Sequence, residues 1–219
     1  MIKDLREKQA LDLFKAAYDN RYTWQPDFPG YKGRCLWSDG DRSIQGSFCV
    51  GSDLKASVFS VEDEAIEKLI TSQLWEVAIH RVKRSFSTVH SENTFSYGDE
   101  NDVGKEILVN GKGKGDRYRI KNNVITMVYR HIHGSLVQIY TNKIIETGLG
   151  YLSKLYTSQY LDPITGKAIK PLSRFNDEYS SLNTDGAWLL TKRIIETTHN
   201  NTKTNHVFTF SDLEYLVIK

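Results

Sequence analysis

Few residues in this chain are of a type and spacing that could do chemistry. His131 and His133 stand two apart, so on a strand their rings would share a face and could begin a metal site. A zinc centre needs three or four ligands, and the other histidines, His80, His90, His199 and His206, are distant in sequence. Two polar side chains at a strand end beside Gly134 is the favoured reading. Asp99-Glu-Asn-Asp-Val-Gly104 resembles the start of a calcium loop. That pattern requires an oxygen ligand at its fifth position and a Glu at its twelfth, and these are Val103 and Asn110. It reads as a solvated acidic turn. Gly111-Lys-Gly-Lys-Gly115 is the most suggestive loop, because glycines that bare backbone N–H groups beside lysines can hold phosphate. No Gly-Lys-Ser/Thr opens a helix there. The loop is expected to be a hairpin tip first, an anionic headgroup site at Lys112, Lys114 and Arg117 second, and a nucleic-acid contact last.

Nucleophile arrangements are unconvincing: no Gly-x-Ser-x-Gly occurs, and neither cysteine has a histidine nearby in sequence. Asp177-Glu178 lies in a polar, turn-like stretch with no acid–base geometry. No catalytic residue, cofactor or metal is expected, and the balance leans away from an enzyme. What remains is aromatic: Trp37, Phe48, Trp75, Tyr129, Tyr140, Tyr156 and Trp188 are spread over strands and one helix. Most of them should be core. If the sheet curls, some face its hollow and become candidate contacts for an apolar ligand.

Composition sets the elements that must carry these residues. The 219 residues suit one large β-rich domain, with 26% charged and 39% hydrophobic residues as in a globular protein. Lys plus Arg number 29 against 27 Asp plus Glu, too even to imply nucleic acid by bulk charge. Twelve Tyr, nine Phe and four Trp are a generous supply for wide sheets and apolar cavities. If Ser38–Asp41 is a turn, Cys49 lies about four residues, on the order of 13 Å, from the position facing Cys35. That is beyond disulfide reach, so two reduced thiols are expected. Met1–Gln9 has charges and no apolar core, so no secretory signal is read there, and no apolar run of membrane-spanning length follows. The expected location is cytoplasmic.

A helix opens the chain, with Asp4 and Glu7 spaced as a capping box and Leu11, Phe14, Ala17 and Tyr18 on one face. It should stop before Trp24-Gln-Pro-Asp-Phe-Pro-Gly30. Three strands follow, about Lys32–Trp37, Ser43–Val50 and Leu54–Phe59. Ser60 then begins a long helix ending near Arg84, striped by Ile66, Leu69, Ile70, Leu74, Val77 and Ala78. From Thr94 onward short strands alternate with turns, up to a hairpin of Trp188–Ile195 and His206–Val217 joined by a polar link. About eleven antiparallel strands in one sheet should curl, and the inserted helix should cover the concave face.

Two resemblances add to this. Asn20-Arg-Tyr-Thr-Trp-Gln-Pro-Asp-Phe-Pro-Gly-Tyr31, with Thr147-Gly-Leu-Gly-Tyr-Leu152 and Tyr160-Leu-Asp-Pro163, resembles an uncharacterised domain family of cyanobacteria and plants. Asp185-Gly-Ala-Trp-Leu-Leu-Thr-Lys192 and Phe208-Thr-Phe-Ser-Asp-Leu-Glu-Tyr215 are distantly similar to the closing strands of LolA/LolB-type lipoprotein carriers. The second resemblance implies an unclosed half-barrel with helices in its concave face, used to hold acyl chains. Those carriers work in the periplasm, which this chain's N-terminus does not match.

The expected protein is therefore a single-domain α+β half-barrel over residues 1–219, mostly antiparallel β. Its expected role is non-enzymatic binding of a lipid or other hydrophobic small molecule. An interaction module presenting Trp24 and Phe28 to a protein partner is the alternative, followed by an enzyme acting on a lipid or pigment, which would need a polar cluster inside the fold.

Overall fold

The computed structural model describes residues 2–184, 186–199 and 202–217. The helices are α1 (Ile2–Asp19), α2 (Glu64–His80) and the short α3 (Phe86–Val89). The strands are β1 (Gly30–Ser38), β2 (Ser43–Gly51), β3 (Ala56–Phe59), β4 (Asn93–Asn101), β5 (Gly104–Gly111) and β6 (Arg117–Lys121). They continue with β7 (Val124–Ile132), β8 (Ser135–Glu146), β9 (Tyr151–Leu161), β10 (Ser173–Ser181), β11 (Trp188–His199) and β12 (Thr202–Tyr215). The sheet is antiparallel, with twelve strands in the order β3-β2-β1-β12-β11-β10-β9-β8-β7-β6-β5-β4. It has one strand more than expected, and because β3 and β4 end the order without pairing to each other it is not closed. The chain packs as two compact units: Met1–Tyr22 with Arg84–Arg174, and Thr23–Lys83 with Phe175–Lys219.

In the first unit, α1 lies against β4, β6, β7 and α3. Its stripe of Ala10, Phe14 and Ala17 is fully buried. The Phe14 ring centroid sits 5.2 Å from Phe86 and 5.3 Å from Phe95, within the usual range of favourable aromatic pairs, and 4.3 Å from Tyr118, slightly closer than that range. The hairpins of this unit are tight. Asn122 and Asn123 (φ 52° and 60°) and His133 and Gly134 (φ 48° and 78°) each place two left-handed residues in succession. That is the turn whose twist matches flanking strands. His133 thus sits in a turn and does not share a strand face with His131.

In the second unit, α2 packs on β1, β2 and β3. Most of the stripe holds: Ile66, Ile70, Leu74, Val77 and Ala78 are buried, while Leu69 is half-buried. The helix starts at Glu64 rather than Ser60, because Ser60 has φ 59°, outside helical space. Asp63 is the cap, its Oδ1 accepting from the N–H groups of Ala65 (3.0 Å) and Ile66 (3.2 Å). It ends at His80, earlier than Arg84. Cys35 faces Gly46 and Cys49 faces Lys32, so the two thiols are rungs apart and free. The last hairpin is longer than expected, with β11 and β12 paired out to His199 and Thr202. Asn200 and Asn201 of its expected link, and Asp185 of the quoted motif, lie outside the described residues. Among the described residues no helix is long and apolar enough to cross a membrane.

Candidate functional site

The interior of the second unit carries a polar cluster that local sequence patterns concealed. β11 turns Leu189 and Arg193 to the same face, since residues four apart on a strand share it. Both are buried, Arg193 to 2% exposure. A guanidinium out of water requires an anion, and β10 supplies Asp177, at 0% exposure. Arg193 Nε donates to Asp177 Oδ1 (2.9 Å) and Nη2 to Oδ2 (2.7 Å), the parallel fork that makes such pairs strong. The remaining arm, Nη1, donates to Gln73 Oε1 of α2 (3.0 Å) and lies 3.5 Å from Glu76 Oε1. Burial pushes the Glu76 carboxyl up, against the pull of Arg193.

The network continues outward. Tyr179 Oη donates to Asp177 Oδ2 (3.0 Å) and accepts from Arg81 Nη2 (3.1 Å). Burial pushes the Tyr179 phenol up to about 12 and raises the Tyr31 phenol as well, so both are neutral O–H donors at pH 7. Tyr31 Oη and Arg81 Nε, however, are buried with no hydrogen-bond partner. The third buried side-chain atom in this state among the described residues, Asn176 Oδ1, also belongs to this unit. An unmet buried donor costs about 1–3 kcal/mol, so an unpartnered pair of donors is a physical anomaly that calls for a cause.

Around Tyr31 the walls are aromatic. Trp24 stacks on Phe28 at 4.2 Å and meets Tyr31 edge-on at 5.9 Å. Phe48 meets Tyr31 at 5.5 Å and Phe210 at 5.4 Å. The expectation that Trp24 and Phe28 form an exposed contact surface is corrected here. Trp24 is 4% exposed, its backbone N–H bonds Arg81 O (2.8 Å) and its Nε1 donates to Trp188 O (3.2 Å). Phe28 is half-buried. The prolines that exclude a helix from this segment do not make it a loop in solvent.

The other sequence candidates fall as follows. Trp37 and Phe48 are buried in the second unit, with Trp37 Nε1 donating to His206 Nδ1 (3.2 Å). Trp188 is half-buried at the start of β11 in the same unit. Trp75 is one residue off the buried stripe of α2 and 52% exposed. Tyr129, Tyr140 and Tyr156 are half-buried strand residues of the first unit. There Tyr129 lies under the Arg117 guanidinium at 4.0 Å, and Tyr140 Oη accepts from Gln138 (3.1 Å). An open groove of about 630 Å³ in this unit is bordered by Leu13, Tyr97, Glu100, Lys105, Ile120 and Lys121, among others.

The Gly111–Gly115 loop uses its backbone donors on itself and its neighbours. Lys112 N bonds Glu92 O, Gly113 N bonds Asn93 Oδ1, Lys114 N bonds Gly111 O, Gly115 N bonds Val109 O and Asp116 N bonds Gly113 O. Lys112 Nζ pairs with Glu92 (2.8 Å). Gly111 is glycine because its φ is 86° and a Cβ there would lie 2.1 Å from Glu92 O. Asp99 pairs with Arg119 rather than with a cation site, and His131 Nδ1 lies 3.0 Å from Asp116 Oδ1. Among the described residues no three His, Cys, Asp or Glu side chains are grouped to hold a metal ion.

An unclosed antiparallel sheet with one main helix in each compact unit defines the class of the protein, α+β and mostly β. The chain belongs to the DUF3386 family, described as protein of unknown function, whose profile matches residues 5–216. No curated protein matches it. Among solved structures it is similar to a LolA superfamily protein from Nitrosomonas europaea, at 10% identity over 96% of this chain and 94% of that chain, with a TM-score of 0.39. It is also similar to a DUF1329 family protein from Desulfovibrio piger, at 11% identity over 96% and 93%, with a TM-score of 0.29.

Proposed function

We propose that the protein binds a lipid or other hydrophobic small molecule without transforming it, within the second unit. The apolar part of the ligand would meet Tyr31, Trp37, Phe48 and Trp188, and its polar end would meet Tyr31 Oη and Arg81 Nε. The observation that supports this reading is the pair of buried donors with no acceptor beside an aromatic wall. Ligand sites have this composition, mostly apolar with a few convergent polar groups. In this proposal the headgroup role considered for Lys112, Lys114 and Arg117 passes to Arg81 and Tyr31.

The test is native mass spectrometry of the purified protein, with solvent extraction of whatever it retains. A bound hydrophobic molecule is expected, with occupancy reduced in Tyr31→Phe. A bare protein, together with a Tyr31→Phe variant that is more stable by about 1 kcal/mol because an unmet hydroxyl has gone, would refute the proposal.

A further inference from the structure

The loop between β9 and β10, in the first unit, carries an exposed apolar tip on a well-braced turn. Asp162 Oδ1 accepts from Ile164 N (3.0 Å), Thr165 N (2.7 Å) and Thr165 Oγ1 (2.9 Å). Asp162 N donates to Lys167 O and Gly166 N to Asp162 O, both at 2.8 Å, with Gly166 left-handed at φ 67°. Leu161 bridges Ala168, Ile169 N donates to Tyr160 O (2.9 Å) and Gln159 Nε2 to Lys170 O (3.3 Å). Asp162, Pro163 and Gly166 account for the turn in full. Nothing in its bonding needs an isoleucine at position 164, yet Ile164 is there at 93% exposure.

A single exposed apolar residue is ordinary, but this one has company. Tyr160 and Ile169 are cross-strand neighbours behind the tip, at 36% and 51% exposure. Basic side chains stand beside them. Lys167, Lys170 and Arg174 are all exposed, and Lys170 Nζ lies 4.4 Å over the Tyr160 ring. The acid within the loop, Asp162, is held as a carboxylate by its hydrogen bonds to Thr165 and turned into the loop. An apolar tip with an aromatic behind it and lysines beside it matches the layering of a membrane interface. Acyl chains meet the tip, the ring sits at headgroup level and the ammonium groups meet lipid phosphates.

We propose that this loop docks the protein reversibly on an anionic lipid surface, with Ile164 inserted and Lys167 and Lys170 at the phosphates. The loop belongs to the first unit, and its docking does not rest on the ligand proposed for the second.

The test is flotation of the full chain with vesicles of phosphatidylcholine alone and of phosphatidylcholine containing roughly a third phosphatidylglycerol, at low salt and about 0.5 M salt. Binding to the anionic vesicles at low salt is expected, weakened by added salt. Ile164→Asp should lower the partition coefficient by roughly ten-fold or more, and the Lys167→Glu, Lys170→Glu pair should do likewise. All these positions are exposed, so unchanged far-UV dichroism and melting serve as folding controls. Leu149→Asp alters another exposed apolar residue of the same unit, at 70% exposure, and should have little effect. Absence of binding to anionic vesicles, equal binding to neutral ones, or a loss as large in Leu149→Asp as in Ile164→Asp would overturn the proposal.

Discussion

Asp177→Ala should selectively destabilise the second unit. The change strips Arg193, 2% exposed, of both arms of its fork at 2.9 and 2.7 Å, with Gln73 and Glu76 among the partners that remain. Removing one member of a buried pair costs about 3–5 kcal/mol, because the surviving charge is out of water and uncompensated. Glu76, only 3.5 Å away, takes over part of the compensation, which puts the expected loss near the lower figure. In a chain of this length each kcal/mol moves the melting temperature by roughly 2–4 °C, so a shift of about 6–12 °C follows. The molecule supplies its own selective probe. All four tryptophans, Trp24, Trp37, Trp75 and Trp188, belong to the second unit, so indole fluorescence reports that unit. Replacing both charges, Asp177→Leu with Arg193→Met, should cost less than Asp177→Ala alone, because no unpaired charge is left behind. A fluorescence melt of Asp177→Ala within about 1 °C of wild type would refute the burial and pairing of Asp177 with Arg193. So would a double variant clearly worse than the single one.

Two further outcomes concern the first unit. His90 is enclosed by Phe14, Phe86 and Phe95, and its Nδ1 lies 3.1 Å from Asn93 Nδ2. Burial first, and the Arg130 charge second, lower its pKa to about 4 from 6.5. The unfolded chain therefore takes up the proton first as pH falls. Stability should be unaffected by this group above about pH 6.5 and should decline between there and about pH 4. Urea unfolding followed by far-UV dichroism at several pH values should show that decline, and His90→Phe should flatten it. An equal decline in the variant would assign the effect to other groups. Phe14→Ala, which removes a ring at 0% exposure paired with five others, should cost about 3–5 kcal/mol in the same assay; a loss under about 1 kcal/mol would mean the cluster collapses to fill the gap.

The elements were legible wherever the signal was periodic and local. The stripe from Ile66 to Ala78 and the alternation through Phe48 and Val50 mark faces that the structure buries. Boundaries were less so: Ser60 has the chemistry of a cap, but its left-handed backbone passes that task to Asp63. The site was mostly illegible, because its members meet across long sequence gaps. Asp177 sits in Asn-Asp-Glu, which reads as a turn, and it becomes an interior strand residue only through Arg193, sixteen residues away. A signal did exist. Arg193 shares the parity of Leu189 in a run that also holds Trp188, Leu190, Ile194 and Ile195, and an arginine buried at such a position demands a carboxylate. Trp24 misled for the reverse reason. Its neighbours are turn formers, but its bonds are to Arg81 and Trp188, far along the chain.

Each unit settles a main helix on strands by different means, and the difference bears on where a ligand can act. In the first, α1 is held by apolar and aromatic contacts around Phe14, and the buried polar groups at the strands are matched internally: His90 with Asn93, and the Tyr151 hydroxyl with the Ile125 N–H (3.1 Å). Among the described residues this interior holds no buried side-chain nitrogen or oxygen without a partner. In the second, α2 adds to its apolar stripe a directional tie, Gln73 to Arg193, that fixes the helix to β11 as well as to β1–β3. Apolar stripes tolerate sliding, whereas a hydrogen bond to a buried guanidinium does not, since a slip would leave the charge short of a partner. The cost of that fixed arrangement is a polar interior whose outer members, Tyr31 and Arg81, are left with donors unspent. A molecule bringing acceptors and an apolar body would satisfy those donors without disturbing the Asp177–Arg193 pair, and the first unit offers no comparable unmet donors among the described residues.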